Sequence, residues 1–430
     1  MLAAILGFVC VFLLLFAGVP VGFGMALVGI VGFAILTSLN GALNMMGQIL
    51  FDSVVNYELS VLPLFVIMGN FVAQSRMAQE LYDAGYAYLG HRKGGLAMAT
   101  VIACGGFAAV CGSSVATAAT ISKVAMPQMR ARGYADSLAA GSIAAGGTLG
   151  IMIPPSVILV IYGIMTETSI SKLFIAGIVP GLLGVLGYMT AIVYVTRRRP
   201  ADGPSGDRSS WRQRLRATRS VGGITSLFIL VIGGIYIGAF TPTEAAGIGA
   251  AGAFALSLIR RTLSARYLLA VLIDSGRTTA MIFAVLLGAL MFANFLDVTG
   301  VPTALAAWVG EVDLPAILVI VVIVSILFIL GCILESLSMM LLTVPMFYPI
   351  VSGLGYDLIW FGIVVVLSIE ISLITPPIGL NIFVLRATLQ DVRTGTIFRG
   401  VLPFISADIV RLAIIVLIPW LSLVLPRLML

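Results

Sequence analysis

Long apolar runs separated by short polar breaks fill the chain, and the runs are continuous rather than alternating, so they predict membrane-crossing helices and not barrel strands. The first half reads as crossings at 2–18, 20–36, 60–76, 134–166 and 172–196. The second reads as crossings at 220–240, 243–259, 278–296, 357–388 and 400–425. Two stretches, 44–57 and 262–273, are too short or too polar to span and are expected to lie along the membrane plane. Two more apolar blocks, 94–129 and 314–350, are broken at their centres by Cys111-Gly112-Ser113-Ser114 and by Glu335-Ser336. That is the pattern of a helical hairpin that dips into the membrane and returns. A polar stretch at 197–219 divides the chain into a first repeat, 1–196, and a second, 220–430.

Across that division the sequence matches itself at a nearly constant offset. Val19-Pro20 corresponds to Thr241-Pro242, Asn70-Phe71 to Asn294-Phe295, Cys111 to Cys332 and Pro127 to Pro345. Gly133-Tyr134 corresponds to Gly355-Tyr356, Pro154-Pro155 to Pro376-Pro377 and Pro180 to Pro403. The offsets stay between 218 and 224 residues and keep their order, which implies a duplicated architecture.

Composition narrows the class. Of 430 residues 60% are apolar and 10% charged, with a mean hydropathy of +1.15. A soluble domain carries roughly 25% charged residues, so a water-solvated surface is excluded. The 47 glycines and 18 prolines suit close helix packing and interrupted helices. Cys10, Cys104, Cys111 and Cys332 stand in apolar stretches without disulfide or metal spacing, and the single histidine, His91, belongs to a basic membrane edge. No GxxxxGK[ST], HExxH or GxSxG motif occurs, so neither ATP use nor catalysis is expected. The first residues lack a basic n-region and a cleavage site and read as a retained span.

The excess of 24 Lys and Arg over 18 Asp and Glu is read as orientation, not as affinity for nucleic acid. The linker sets Arg197, Arg198, Arg199, Arg208, Arg212, Arg214, Arg216 and Arg219 against Asp202 and Asp207, so it is expected in the cytoplasm. The 94–129 hairpin is flanked by His91-Arg92-Lys93 and by Arg130 and Arg132, and should enter from the cytoplasm. The 314–350 hairpin is flanked by Glu311, Asp313 and Asp357, and should enter from the periplasm. Five crossings per copy is an odd number, so the copies take opposite orientations and both termini fall in the periplasm. The expected fold is therefore an all-α polytopic membrane protein, an inverted-topology repeat of about ten transmembrane helices plus two re-entrant hairpins.

Chemistry is expected where helices break near the midplane. The candidates are the tip Gly112 to Thr117, the interruption Gly146 to Ser156, the second tip Gly331 to Ser338, and Thr375-Pro376-Pro377-Ile378-Gly379-Leu380-Asn381. Each Pro-Pro pair removes two amide donors and frees carbonyls of the preceding turn. In hydrocarbon those groups need partners, and a sodium ion ringed by carbonyls, hydroxyls and an amide supplies one. Gly112, Ser113, Ser114, Thr148, Pro154, Glu335, Ser336, Thr375, Pro376 and Gly379 are the sodium-site candidates, with Asn381 offering an amide oxygen. Thr117, Ser338, Asn381 and Arg386 are the candidate substrate contacts. No other metal and no cofactor is called for. Glu370 reads most simply as a partner for another helix, and Glu244 as part of a helix start. The hairpins and Pro-Pro helices are expected to carry the site, with 2–36, 172–196, 220–259 and 400–425 as an uninterrupted scaffold.

At these residues the chain resembles the large membrane subunit of tripartite ATP-independent periplasmic (TRAP) transporters, over essentially its whole length. The resemblance is carried by Leu62-Pro63-Leu64-Phe65-Val66-Ile67-Met68-Gly69-Asn70, Cys111-Gly112-Ser113-Ser114-Val115-Ala116-Thr117-Ala118, Gly150-Ile151-Met152-Ile153-Pro154-Pro155-Ser156, Phe240-Thr241-Pro242-Thr243-Glu244-Ala245-Ala246 and Thr375 to Asn381. It implies a sodium-driven, elevator-type importer of small organic anions, carboxylates or sugar acids, in the bacterial inner membrane. It also implies two partners besides membrane lipid: a small four-helix membrane subunit and a periplasmic substrate-binding protein. Too few residues precede Pro20 to hold a fused small subunit, so a separate chain is expected. The alternatives are a stand-alone sodium-coupled carboxylate carrier and, in another class, a channel or intramembrane enzyme. Transport without a periplasmic component would mark the first, uncoupled flux or an altered product the second.

Overall fold

The structure, a computed structural model, describes residues 2–312 and 314–429, so Asp313 of the predicted acidic flank lies outside the described residues. Every regular element among the described residues is helical. Helices of the first half run Leu2–Phe16, Val21–Leu36, Leu39–Val55 and Val61–Ala73, then the hairpin Gly95–Cys111 with Ser114–Ala131. The interrupted helix Asp136–Thr148 with Val157–Met165 follows, and then Ile170–Arg198. The second half repeats this order with Gly222–Tyr236, Pro242–Ile259, Ala265–Val298 and the hairpin Ala316–Gly331 with Ser336–Gly353. It continues with Leu358–Ile374, interrupted before Leu380–Thr388, and ends with Thr394–Leu417 and Trp420–Leu428. Five helices, Ile170–Arg198, Pro242–Ile259, Ala265–Val298, Ser336–Gly353 and Thr394–Leu417, are long and apolar enough to cross a membrane, and seven spans result if each bent pair counts as one.

Local sequence sets the breaks. Gly112 takes a left-handed φ of +63° that ends the first arm of the hairpin, and Ser113 starts the second by accepting the Ala116 amide. Thr241 and Glu244 form a reciprocal capping box at Pro242–Ile259, as expected for a helix start.

One element departs from the sequence reading. The stretch 262–273 is not a separate interfacial helix; Ala265–Val298 is a single helix of 34 residues, about 51 Å at 1.5 Å per residue. Its polar residues are matched by a neighbour rather than by the membrane surface: Gln74 Nε2 donates to Asp274 Oδ2 at 3.2 Å and Asn70 Nδ2 to Ser275 Oγ at 2.8 Å. The corresponding first-half segments, Leu39–Val55 and Tyr57–Ala73, meet at a 60° bend. Three helices have no counterpart in the sequence reading, Met77–Leu89, Trp211–Ser220 at the arginine-rich linker and Val301–Glu311, and the last span, expected to run uninterrupted over 400–425, is divided at Ile418-Pro419 into Thr394–Leu417 and Trp420–Leu428.

The halves interlock. Helix Val21–Leu36 packs on Ala265–Val298 so closely that a Cβ on Gly288 would lie 1.9 Å from the Gly22 carbonyl oxygen. Helix Asp136–Thr148 packs on Thr394–Leu417, where a Cβ on Gly400 would lie 2.0 Å from the Ser137 carbonyl oxygen. Without a hydrophobic drive between helices in lipid, such small-residue contacts supply the packing. The broken helices lie at the centre, with Trp360, Tyr162 and Phe174 fully buried, while Leu2, Ile35 and Ile259 are among the large side chains on the apolar outer face.

These contacts give a stability prediction. Gly400→Ala and Gly288→Ala should each cost about 1–3 kcal/mol through overpacking, whereas Gly310→Ala, with open space around it, should cost nothing. Thermal unfolding in detergent measures the difference, and equal midpoints for Gly400→Ala and Gly310→Ala would contradict the close packing.

Candidate functional site

Both hairpin tips and the first interruption meet at one cavity of about 200 Å³, which the helix after the second interruption also touches. Its wall includes Gly112, Ser113, Ser114 and Val115 from the first tip, Glu335, Ser336 and Leu337 from the second, Ile151, Val157 and Ile158 from the first interruption, and Leu380 beyond the second. Asn70, Thr278 and Met281 close it from the outer helices. A buried polar chain ties three of these elements together. Ser114 Oγ donates to Asn381 Oδ1 at 2.8 Å, and Asn381 Nδ2 donates to the Ala144 carbonyl at 3.2 Å. The amide joins the first hairpin to both interrupted helices.

Backbone approaches almost as near as side chains here. A Cβ on Gly112 would stand 2.7 Å from the Pro155 carbonyl oxygen, and one on Gly150 would stand 2.7 Å from the Ser113 carbonyl oxygen. The tip and the Pro-Pro interruption therefore face each other through carbonyls, hydroxyls and an amide. At the second tip Glu335 begins the returning helix and accepts from Ser338 Oγ at 3.2 Å.

The remaining candidates stand elsewhere. Thr148 turns its hydroxyl to the Ala145 carbonyl at 2.8 Å and lies 2.9 Å from the Tyr188 hydroxyl, outside the cavity wall. Thr117 Oγ1 donates to the Ser113 carbonyl at 2.7 Å. Thr375 Oγ1 donates to the Ile371 carbonyl at 2.6 Å, and Pro376 is exposed while Pro154 is buried. Gly379 has a φ of +62° and opens helix Leu380–Thr388. Arg386 donates to the Gln390 and Val392 carbonyls and so closes the end of that helix instead of facing the cavity. Two polar wall residues, Asn70 and Thr278, were not singled out as site candidates from the sequence. Asn70 stands in the sequence as a repeat match and as the end of a stretch carrying the resemblance, and in the structure it pairs with Ser275.

Comparison with known proteins decides the family. Residues 8–421 match the family described as tripartite ATP-independent periplasmic transporter, DctM component. The chain belongs to this family. It is 40% identical over 379 residues to the C4-dicarboxylate TRAP transporter large permease protein DctM of Pseudomonas aeruginosa, covering 88% of each chain. It is 32% identical over 421 residues to the sialic acid TRAP transporter large permease protein SiaM of Vibrio cholerae, covering 97% of each. In fold it is similar to the Alcanivorax borkumensis YdaH transporter, with a TM-score of 0.59, 16% identity and 88% of each chain covered. The protein is thus a multi-pass large permease of the TRAP family and not an enzyme.

In this permease a second polar cluster lies outside the cavity wall. Arg411 on Thr394–Leu417 donates to Glu370 on Leu358–Ile374 and lies 2.9 Å from Asp408 Oδ1. Tyr188 on Ile170–Arg198 donates to Asp408 Oδ2 at 2.6 Å, and Thr148 completes the chain. All are buried. Helices Ile170–Arg198 and Thr394–Leu417, which contain the span 172–196 and most of the span 400–425 expected as scaffold, are therefore fastened to the interrupted helices. Glu370 does partner another helix, and the local signal for its partner is the i,i+3 pair Asp408 and Arg411, opposite charges on one face of an otherwise apolar helix.

Removing one member leaves an uncompensated charge in a dry interior. Arg411→Met should cost about 3–5 kcal/mol, while Glu370→Gln, which leaves one carboxylate for one guanidinium, should cost less. Unfolding midpoints of the two variants test this, and the reverse order would contradict it.

At the outer end of the hairpin, Arg130 Nε lies 2.8 Å from Asp136 Oδ1 and Arg130 Nη1 lies 2.5 Å from Asp391 Oδ2. The hydrogen bond from Arg130 is the first cause holding the Asp391 carboxyl below the usual carboxylate range. A depressed folded-state pKa means that the contact contributes fully above the unfolded value, about 4, and fades as pH falls through the folded value. The protection of amides in the 389–393 loop, measured against their intrinsic exchange rates, should accordingly stay constant from pH 5 to 8 and be lower in Asp391→Asn at any of those values. Equal exchange in the variant at pH 7 would show that the pair holds nothing.

Proposed function

We propose that the permease imports small organic acids across the bacterial inner membrane by sodium coupling and an elevator motion. The observation that carries this reading is the convergence of the broken helices of both halves on one cavity. A sodium ion beside the first tip would draw on oxygens at Ser113, Ser114, Pro155 and Asn381, whose backbone or side chains already approach one another. An organic anion would sit against the two tips, where helix starts at Ser114 and Ser336 present amides to negative charge. The relatives' printed names cover C4-dicarboxylates, sialic acid and ectoine, which supports a small organic solute as cargo without selecting one.

A loaded site that moves as a unit keeps interrupted backbone away from lipid at every stage. The buried Glu370–Arg411–Asp408–Tyr188 cluster favours a moving body larger than the hairpins and Pro-Pro helices, one that also takes 170–198 and 394–417. The fixed part then comprises 2–73 and 222–298, against which a separate small four-helix membrane subunit would pack. A periplasmic binding protein would deliver substrate, with both termini and the second hairpin's entrance on its side.

Ser114→Ala and Asn381→Ala should each raise the sodium concentration for half-maximal uptake about tenfold, the weight of one contact to a charged group. Sodium-driven uptake in proteoliposomes with the partner subunits measures it; unchanged sodium dependence in both places the ion elsewhere, and uptake without a binding protein selects the stand-alone carrier. Cysteines at Arg132 and Glu311 should be labelled from opposite membrane faces, and labelling from one face would remove the inverted arrangement.

A further inference from the structure

Two arginine-bearing helix ends, far apart in sequence, come together at one corner of the molecule. Arg198 and Arg199 close helix Ile170–Arg198, and Arg399 lies in the first turns of Thr394–Leu417; all three line a cavity of about 500 Å³ with Tyr194. Asp202 is the only acid in that wall, and among the described residues none of the three arginines forms a salt bridge. The cavity is net positive by two charges. The Arg198 guanidinium rests over the Tyr194 ring, 4.9 Å from its centroid.

From this cavity a groove of about 750 Å³ continues between the same two helices, sharing Tyr194, Leu402 and Pro403 with it. Gly187 and Ala191 on one side and Ala407 on the other keep its floor low, while Leu402 and Val410 stand at its rims, 55% and 59% exposed. From Arg198 to Gly187 the helix rises 11 residues, about 16 Å at 1.5 Å per residue. That is the depth of one leaflet of a hydrocarbon core about 30 Å thick.

We propose that this is a binding site for an anionic glycerophospholipid, its phosphate held by Arg198, Arg199 and Arg399 and one acyl chain laid in the groove beyond. A basic pocket between helices at the polar edge of a membrane recognises such headgroups. A free phosphate would use the pocket but not the groove, and a zwitterionic lipid would use the groove without gaining from the arginines. The site depends only on the chain spanning a bilayer, not on its cargo or coupling ion. Because both helices are fastened to the interrupted helices, the lipid would travel with the transport site.

Native mass spectrometry of the full-length permease, released from bilayers holding equal phosphatidylglycerol and phosphatidylcholine, tests the assignment. Phosphatidylglycerol should be retained preferentially. Its retention should fall about 25-fold in Arg198→Gln/Arg399→Gln, about fivefold for each basic residue removed, and persist in Arg198→Lys/Arg399→Lys. Ala191→Leu, which fills the groove and spares the arginines, should also weaken it. Equal retention of the two lipids, or no loss in the glutamine variant, overturns the proposal. Full displacement by inorganic phosphate with no effect of Ala191→Leu identifies a free-anion pocket and overturns the lipid assignment as well.

Discussion

The structure depends on one constraint: backbone that is not helical can lie at membrane depth only where protein supplies its partners. Both halves interrupt their central helices, and each interruption is met by something built for it. Gly112 and Gly150 carry no side chains, so the first tip and the first Pro-Pro turn approach through their carbonyls. Asn381 reaches across from the second half to accept from Ser114 and donate to Ala144. The outer helices are simpler because their own backbone hydrogen bonds suffice, and Val21–Leu36 packs on Ala265–Val298 through glycines.

The two copies solve the same problem differently. Pro154 and Pro155 are buried, with Ser156 donating to the Ile151 carbonyl at 2.6 Å to close the turn. Pro376, Pro377 and Ile378 are exposed. The duplicated sequence thus yields one covered interruption and one open one. The same asymmetry marks the segments before the hairpins, bent by 60° between Leu39–Val55 and Tyr57–Ala73 but continuous in Ala265–Val298.

How far the sequence alone reaches follows from the range of the forces involved. Glycine and proline act on their own backbone, so the tips, the Pro-Pro interruptions and the all-helical fold were legible from local signals. Direction of a hydroxyl is a tertiary matter. Ser114 and Thr148 looked equivalent as oxygen donors, yet one lines the cavity and the other is taken by Tyr188, a residue whose partner Asp408 lies 220 positions on. The stretch 262–273 reads as a membrane-surface segment because nothing local shows that the chain runs on as one helix whose next residues, Asp274 and Ser275, meet Gln74 and Asn70. Asp408 and Arg411 are different, because their i,i+3 spacing puts opposite charges on one helix face and is legible locally; what the spacing does not show is that Glu370 and Tyr188 from other helices join them.

The reach of Asn381 also dictates when the centre can close. Its two partners, Ser114 and Ala144, precede it by 267 and 237 residues. At a synthesis rate of about 5–20 residues per second, the first hairpin and the first interrupted helix wait on the order of tens of seconds before the amide that joins them exists. During that interval the nascent first half sits in or beside the bilayer with an unfinished centre, exposed to the translocation machinery rather than to its eventual neighbours. The interlocked repeat makes the last fifth of the chain the closing piece, so that assembly of the core is a late event in biogenesis.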